Sequence, residues 1–158
     1  MIDDSGDRKD VTEAFGPRPL LEAYQVAWLG VEPRAATGWE RQQADRLGLH
    51  VTTSEALAAD PAGAARAALD HLPPGPLALH IDVDVLDFID APLAENTDCR
   101  NTGPTLDQIA EALTAAARDQ RMRALSIGEL NPTRCAGDTK ALPRFAGSIA
   151  RILAATNH

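Results

Sequence analysis

The chain has 158 residues, with 15 Lys and Arg against 23 Asp and Glu, a formal charge of −8 at pH 7. No Arg/Lys-rich stretch offers the basic face that neutralises phosphates, so a generic nucleic-acid binder is excluded. Hydrophobic residues at 44% and charged ones at 24% are ordinary globular usage and argue against disorder.

The length suits one domain spanning residues 1–158, with a core that stands without staples. Cys99 and Cys135 are too few for a disulfide framework and suit a reducing compartment, so the cytoplasm is the expected location. No run of about 18 apolar residues occurs, and the polar, acidic start lacks a signal-peptide pattern. Neither membrane insertion nor secretion is expected.

In chain order, the polar residues 1–10 carry no periodicity. Tyr24–Val31 is apolar, β-rich and bounded by Pro19 and Pro33, which predicts a buried strand. Thr37 is placed to cap a helix in which Trp39, Gln43 and Leu47 recur at helical spacing and Gly48 is the stop. Leu49–Thr53 follows as a short strand, and Pro61–Leu72, rich in alanine and led by proline, as a helix. Trp28 and Trp39 read as core or interface aromatics.

Leu77–Val85 (LALHIDVDV) is the most apolar strand candidate, and its near-continuous apolar character predicts burial on both faces of a parallel sheet. Residues 86–104 form a long irregular stretch of the kind that carries function in compact domains. Thr105 caps a helix to about Arg118, with Asp107 and Gln108 in its first turn and Ile109 and Leu113 on one face. Ala124–Ile127 is a short strand, Gly128–Leu142 a second loop, and Pro143–Ala155 a closing helix. The order βαβαβαβα predicts a parallel sheet with helices on both faces, a three-layer αβα architecture.

Ligands in such folds bind at the carboxyl ends of strands. Two ends carry acids: Asp82-Val83-Asp84-Val85-Leu86-Asp87 and Gly128-Glu129-Leu130-Asn131-Pro132. In a regular strand Asp82 and Asp84 share a face, roughly 6–7 Å apart at Cα. Two carboxylates on one side repel unless a cation lies between them, and hard divalent metals take such oxygen ligands. The plain alternative has one aspartate capping the loop and the other facing solvent. His80 lies on the same face and is expected to be a packed or hydrogen-bonded histidine.

An EF-hand needs acids at positions one, three and five with glycine at six, and Val85, Leu86 and Asp87 break that pattern. A haloacid-dehalogenase phosphatase also sets D-x-D after an apolar run. That motif opens its chain, whereas half of this protein precedes it, and only Lys140 offers a later lysine.

HIDVDVLD, then a loop with Pro92 and Gly103, a helix and SIGELNP resembles the carboxyl part of the arginase/agmatinase (ureohydrolase) family over about Tyr24 to Leu153. The resemblance implies an arginase-like, mostly parallel αβα fold without its N-terminal strands. It implies a dinuclear Mn2+ centre in which Asp82 bridges two ions and Asp84 ligates one. Asp87 would steady the loop, and Glu129 would face the guanidinium or amidine end of a small substrate. Glu95, Asn96 and Arg100 fall in the substrate loop, where Arg100 is placed to receive a carboxylate. The implied reaction is C–N hydrolysis by a metal-activated hydroxide, in a homo-oligomer without nucleic-acid or membrane partners. A surface role for Glu129, as an N-cap or ion pair, is the alternative.

The sequence also departs from the family. Neither the G-G-D-H nor the D-A-H-x-D pattern that supplies the remaining ligands is present, and Phe88 follows Asp87 where the family has proline. Two carboxylates hold a dinuclear site weakly, so this chain alone is expected to be weak or inactive, a truncated product or one piece of a larger enzyme. A sheet short of its first strands also exposes an apolar edge that invites association. A non-catalytic binding subunit and the phosphatase remain as alternatives.

Overall fold

The computed structural model describes residues 20–95 and 101–155. Helix starts follow from local hydrogen bonding. The Thr37 hydroxyl accepts from Glu40 N–H while the Glu40 carboxylate accepts from Thr37 N–H, so α1 (Gly38–Leu47) opens on a reciprocal capping box. Gly48, at φ 65°, closes it in the left-handed conformation. A helix that composition did not signal, α2 (Ser54–Ala59), is capped by Thr53. Asp60 then caps α3 (Pro61–His71), with Pro61 at its first position, where the missing N–H costs nothing. Thr105 and Gln108 form a second capping box on α4 (Leu106–Ala117), and α5 (Ala141–Ala155) ends the described chain.

The strands are β1 (Ala27–Val31), β2 (His50–Thr53), β3 (Leu77–Asp82) and β4 (Met122–Gly128). β1 pairs parallel with β2, and β3 parallel with β4, as two separate two-stranded sheets. Parallel strands connected through helices make this an α/β fold. The core joins Leu57 of α2 and Ile81 of β3 to Leu106, Ile109 and Leu113 of α4 and Phe145 and Ile152 of α5. Val83, Leu86 and Leu93, from the segment after β3, are almost fully buried in it. Burying each leucine stabilises by about 2 kcal/mol, so this nominal loop is anchored by its own apolar side chains.

Four expectations are corrected. The first strand is shorter than Tyr24–Val31, because Ala23–Gln25 form a 3-10 turn. β3 ends at Asp82, and Val83–Val85 form another 3-10 turn, so the strand alternation that put Asp82 and Asp84 side by side stops before Asp84. β3 is also not buried on both faces: Ala78, His80 and Asp82 are exposed, and so are their register partners Ala124 and Ser126 on β4. Among the described residues, helices cover one face of this pair only. Finally, Trp39 is 64% exposed and Trp28 37%, so neither is a core aromatic.

Candidate functional site

The β3–β4 register aligns Asp82 with Gly128, which brings the two acid-bearing strand ends together at one edge of the fold. The residue after Gly128, Glu129, is exposed and has φ 57°, the sole non-glycine at positive φ among the described residues. Left-handed backbone costs a side-chain-bearing residue on the order of 1 kcal/mol, and such strain concentrates at functional sites. Its peptide is pinned: Glu129 O accepts from Glu95 N–H (3.0 Å), and Leu93 O accepts from Asn131 N–H (2.8 Å). An isolated bridge between Ala94 and Leu130 lies between these bonds, so the loop after β3 is sewn to the loop after β4.

Asp82 belongs to a hydrogen-bonded chain on the open face. His80 Nε2 lies 3.1 Å from Asp82 Oδ1, and His80 Nδ1 lies 2.7 Å from Ser126 Oγ. A carboxylate only accepts, so in the neutral ring Nε2–H donates to Asp82 and the Ser126 hydroxyl donates to Nδ1. The side chains of His80 and Asp82 are 59% and 51% exposed, so His80 is hydrogen-bonded but not packed. Gly128 makes room for this arrangement. A Cβ there would overlap Asp82 Oδ1 and stand 3.2 Å from His80 Nε2.

Asp84 sits in the Val83–Val85 turn, half-buried. Asp87 follows one turn on. Its Oδ1 accepts from Ile89 N–H (2.9 Å), and its own N–H donates to Pro104 O (2.9 Å), closing the base of the long loop. Gly103 lies against the same turn, and a Cβ there would meet Val85 O at 2.5 Å and Asp87 N at 2.9 Å. Glu95 is exposed; it accepts from the Asn131 amide and pairs with Arg134 at 3.7 Å. Asn96 and Arg100 lie outside the described residues.

A third strand end also carries an acid, and there it is neutralised locally. Glu32, just after β1, accepts from the backbone and guanidinium of Arg34 and from Ser54 Oγ. The Arg34 hydrogen bonds hold the Glu32 carboxyl at about 2, well below its usual range. Arg34 also donates to Thr102, which ties β1 to the far end of the loop after β3.

Ser126, Gly128 and the Asn131–Glu95 link were not singled out from the sequence as site residues. Their signal lay in the register: aligning the strand ends at Asp82 and Gly128 sets Ser126 opposite His80. No group of three or more His, Cys, Asp or Glu placed to hold a metal occurs among the described residues.

Several solved structures share this fold. Helicobacter pylori arginase superimposes with a TM-score of 0.77 at 16% identity, covering 87% of this chain and 44% of that one. Formimidoylglutamase from Bacillus subtilis gives 0.69 at 17% identity, covering 91% and 44%. Trypanosoma cruzi formiminoglutamase, in a crystal structure with Mn2+, gives 0.71 at 15%, covering 90% and 46%. The chain therefore spans somewhat under half the length of these structures. No curated protein sequence matches it. The model of the arginase family matches residues 14–153, nearly the whole sequence and both acid-bearing strand ends. The chain belongs to the arginase family.

Proposed function

We propose that this chain supplies one part of the active site of a metal-dependent hydrolase that cleaves a C–N bond of a linear amidine or guanidine. The observation that carries the reading is the register pairing of Asp82 with Gly128, which sets the D-x-D turn beside the strained Glu129. Family membership supplies the reaction class.

The donor chemistry suits manganese in kind, since carboxylate oxygens are hard ligands, but not in number. Asp82 and Asp84 would contribute to the centre, and further ligands have to come from outside the described residues. Bound manganese supplies Lewis acidity and water activation at neutral pH. The chain's own residues do the rest. His80, held by Ser126, fixes one oxygen of Asp82 and leaves the other for a cation. Glu129 presents a carboxylate that pairs with a planar, cationic substrate head through charge-assisted hydrogen bonds. Asp87 holds the turn, while Glu95 steadies Asn131 at the substrate rim, with Asn96 and Arg100 assigned to the same loop.

The incomplete ligand set favours a second reading, a binding subunit without turnover of its own. The family match leaves the phosphatase reading without support. The uncovered β3–β4 face and the exposed Trp39 and Ile89 support self-association. No helix among the described residues is long and apolar enough to cross a membrane, and the cysteine usage supports a cytoplasmic setting.

Mn2+ titration of the chain, followed by the electron paramagnetic resonance of the free ion and by urea release from guanidines, tests the proposal. Mn2+ binding at least tenfold weaker in Asp82→Asn supports it. Equal binding in both proteins, or none in the wild type at millimolar metal, overturns it. Binding without urea release moves the assignment to the non-catalytic subunit.

A further inference from the structure

The arginines divide sharply by what they touch. Arg34, Arg121, Arg134 and Arg144 reach carboxylates. Arg41, Arg46, Arg123 and Arg151 donate to carbonyl, amide or hydroxyl oxygens. Among the described residues only Arg66 and Arg118 have a guanidinium without a hydrogen-bond or ion-pair partner. Both line the same cavity, of about 350 Å³, between α3 and α4. The helices pack against each other on small buried residues, Ala65 and Ala68 of α3 and Ala112 and Ala116 of α4, which fixes where the two long stems start. In a chain of charge −8, two unpartnered guanidiniums in one cavity make a local positive spot.

We propose that Arg66 and Arg118 bind a phosphate group in this cavity, either the free ion or a small phosphate monoester. The ligand follows from charge and shape. One guanidinium fork already saturates a carboxylate, whereas a phosphate carries up to two charges and enough acceptor oxygens for two forks. The Thr114 hydroxyl in the wall donates to Ala110 O (2.7 Å), so recognition falls to the arginines.

The lining holds one carboxylate, Glu111, seven residues before Arg118 and therefore about 10 Å from it along α4. There it meets the organic end of a monoester and accepts from a hydroxyl or amino group, while Ala62 and Ala115 leave the space between open. His80 and Asp82 lie on the face of β3 that the helices leave uncovered, so this site and the acid-bearing strand ends are separate.

Titration of the whole chain with sodium phosphate at constant ionic strength, followed by calorimetry and by the arginine Nε–H signals in nuclear magnetic resonance, tests the assignment. The expected result is one saturable site that shifts the Arg66 and Arg118 signals and weakens at least fivefold in Arg66→Gln and in Arg118→Gln. Both residues are exposed, so both variants should keep the wild-type thermal midpoint. Glu111→Gln should tighten inorganic phosphate, because its carboxylate only repels the bare ion. Arg123→Gln should change nothing, since that guanidinium is engaged with Gln120 O and Met122 O. No saturation by about 20 mM phosphate, unchanged affinity in either Arg66→Gln or Arg118→Gln, or equal binding of acetate overturns the proposal. Asp82→Asn, which tests the manganese reading, must leave phosphate binding in place, so the two assignments fail separately.

Discussion

Substituting Gly103 by alanine probes the segment that shapes the candidate site. The added Cβ would stand 2.5 Å from Val85 O, 2.9 Å from Asp87 N and 3.0 Å from the Leu86 carbonyl carbon. All three are backbone atoms of the turn that carries Asp84 and Asp87, and the hydrogen bond from Asp87 N–H to Pro104 O closes over the same place. No side chain can rotate away to relieve the overlap. The backbone itself must shift by several tenths of an ångström, which costs on the order of 2–3 kcal/mol for overpacking of this kind. For a chain of this size that lowers the thermal midpoint by roughly 5–10 °C. Gly38→Ala is the internal control. Gly38 starts α1 with open space around its Cβ position, so alanine there should be neutral or stabilise by up to about 1 kcal/mol. Urea and thermal denaturation of the three proteins measure both effects. A Gly103→Ala midpoint within about 1 °C of wild type would refute the packing argument, since no backbone contact that close is absorbed without cost.

Gly128→Ala meets a flexible side chain instead, and φ there is not positive, so overall stability should change by less than about 1 kcal/mol. The His80–Asp82 hydrogen bond should nevertheless be lost, and unchanged His80 imidazole nitrogen chemical shifts would disprove it. Arg121 donates to Leu69 O, Leu72 O and Pro73 O at the end of α3 while pairing with Asp119. Arg121→Ala leaves those carbonyls to water and should cost about 2–3 kcal/mol in urea titration, with Arg121→Lys recovering only part because an ammonium lacks the fork. Glu32 has a depressed folded pKa of about 2, so its contribution is complete above the ordinary carboxylate range and is lost as pH falls through about 4.5 towards 2. Arg34 is 61% exposed, and solvent screening limits this to on the order of 1–2 kcal/mol. Glu40 and Asp119, also lowered by hydrogen bonds from Thr37 and Arg121, add to the same acid limb. Denaturation between pH 5 and pH 2.5 should show Glu32→Gln with a visibly shallower loss than wild type.

The α/β class, the caps at Thr37 and Thr105, the stop at Gly48 and the acid-bearing strand ends were all legible in the chain itself. They depend on contacts within a few residues and on apolar periodicity, both of which a linear pattern preserves. The candidate site residues could be named as residue types, through HIDVDVLD and GELNP, but their arrangement could not. That β3 stops at Asp82 and turns over buried Val83 and Leu86 was set by the core beneath it, so alternation misplaced Asp84. The continuous apolar look of LALHIDVDV concealed an open face, because coverage depends on which elements come to lie against a strand. Only the β3–β4 register matched Ser126 with His80 and gave Gly128 its role, and only packing between α3 and α4 brought Arg66 and Arg118 to one cavity. Pairings between residues so far apart along the chain are set by how layers meet in space, and no local spacing encodes them.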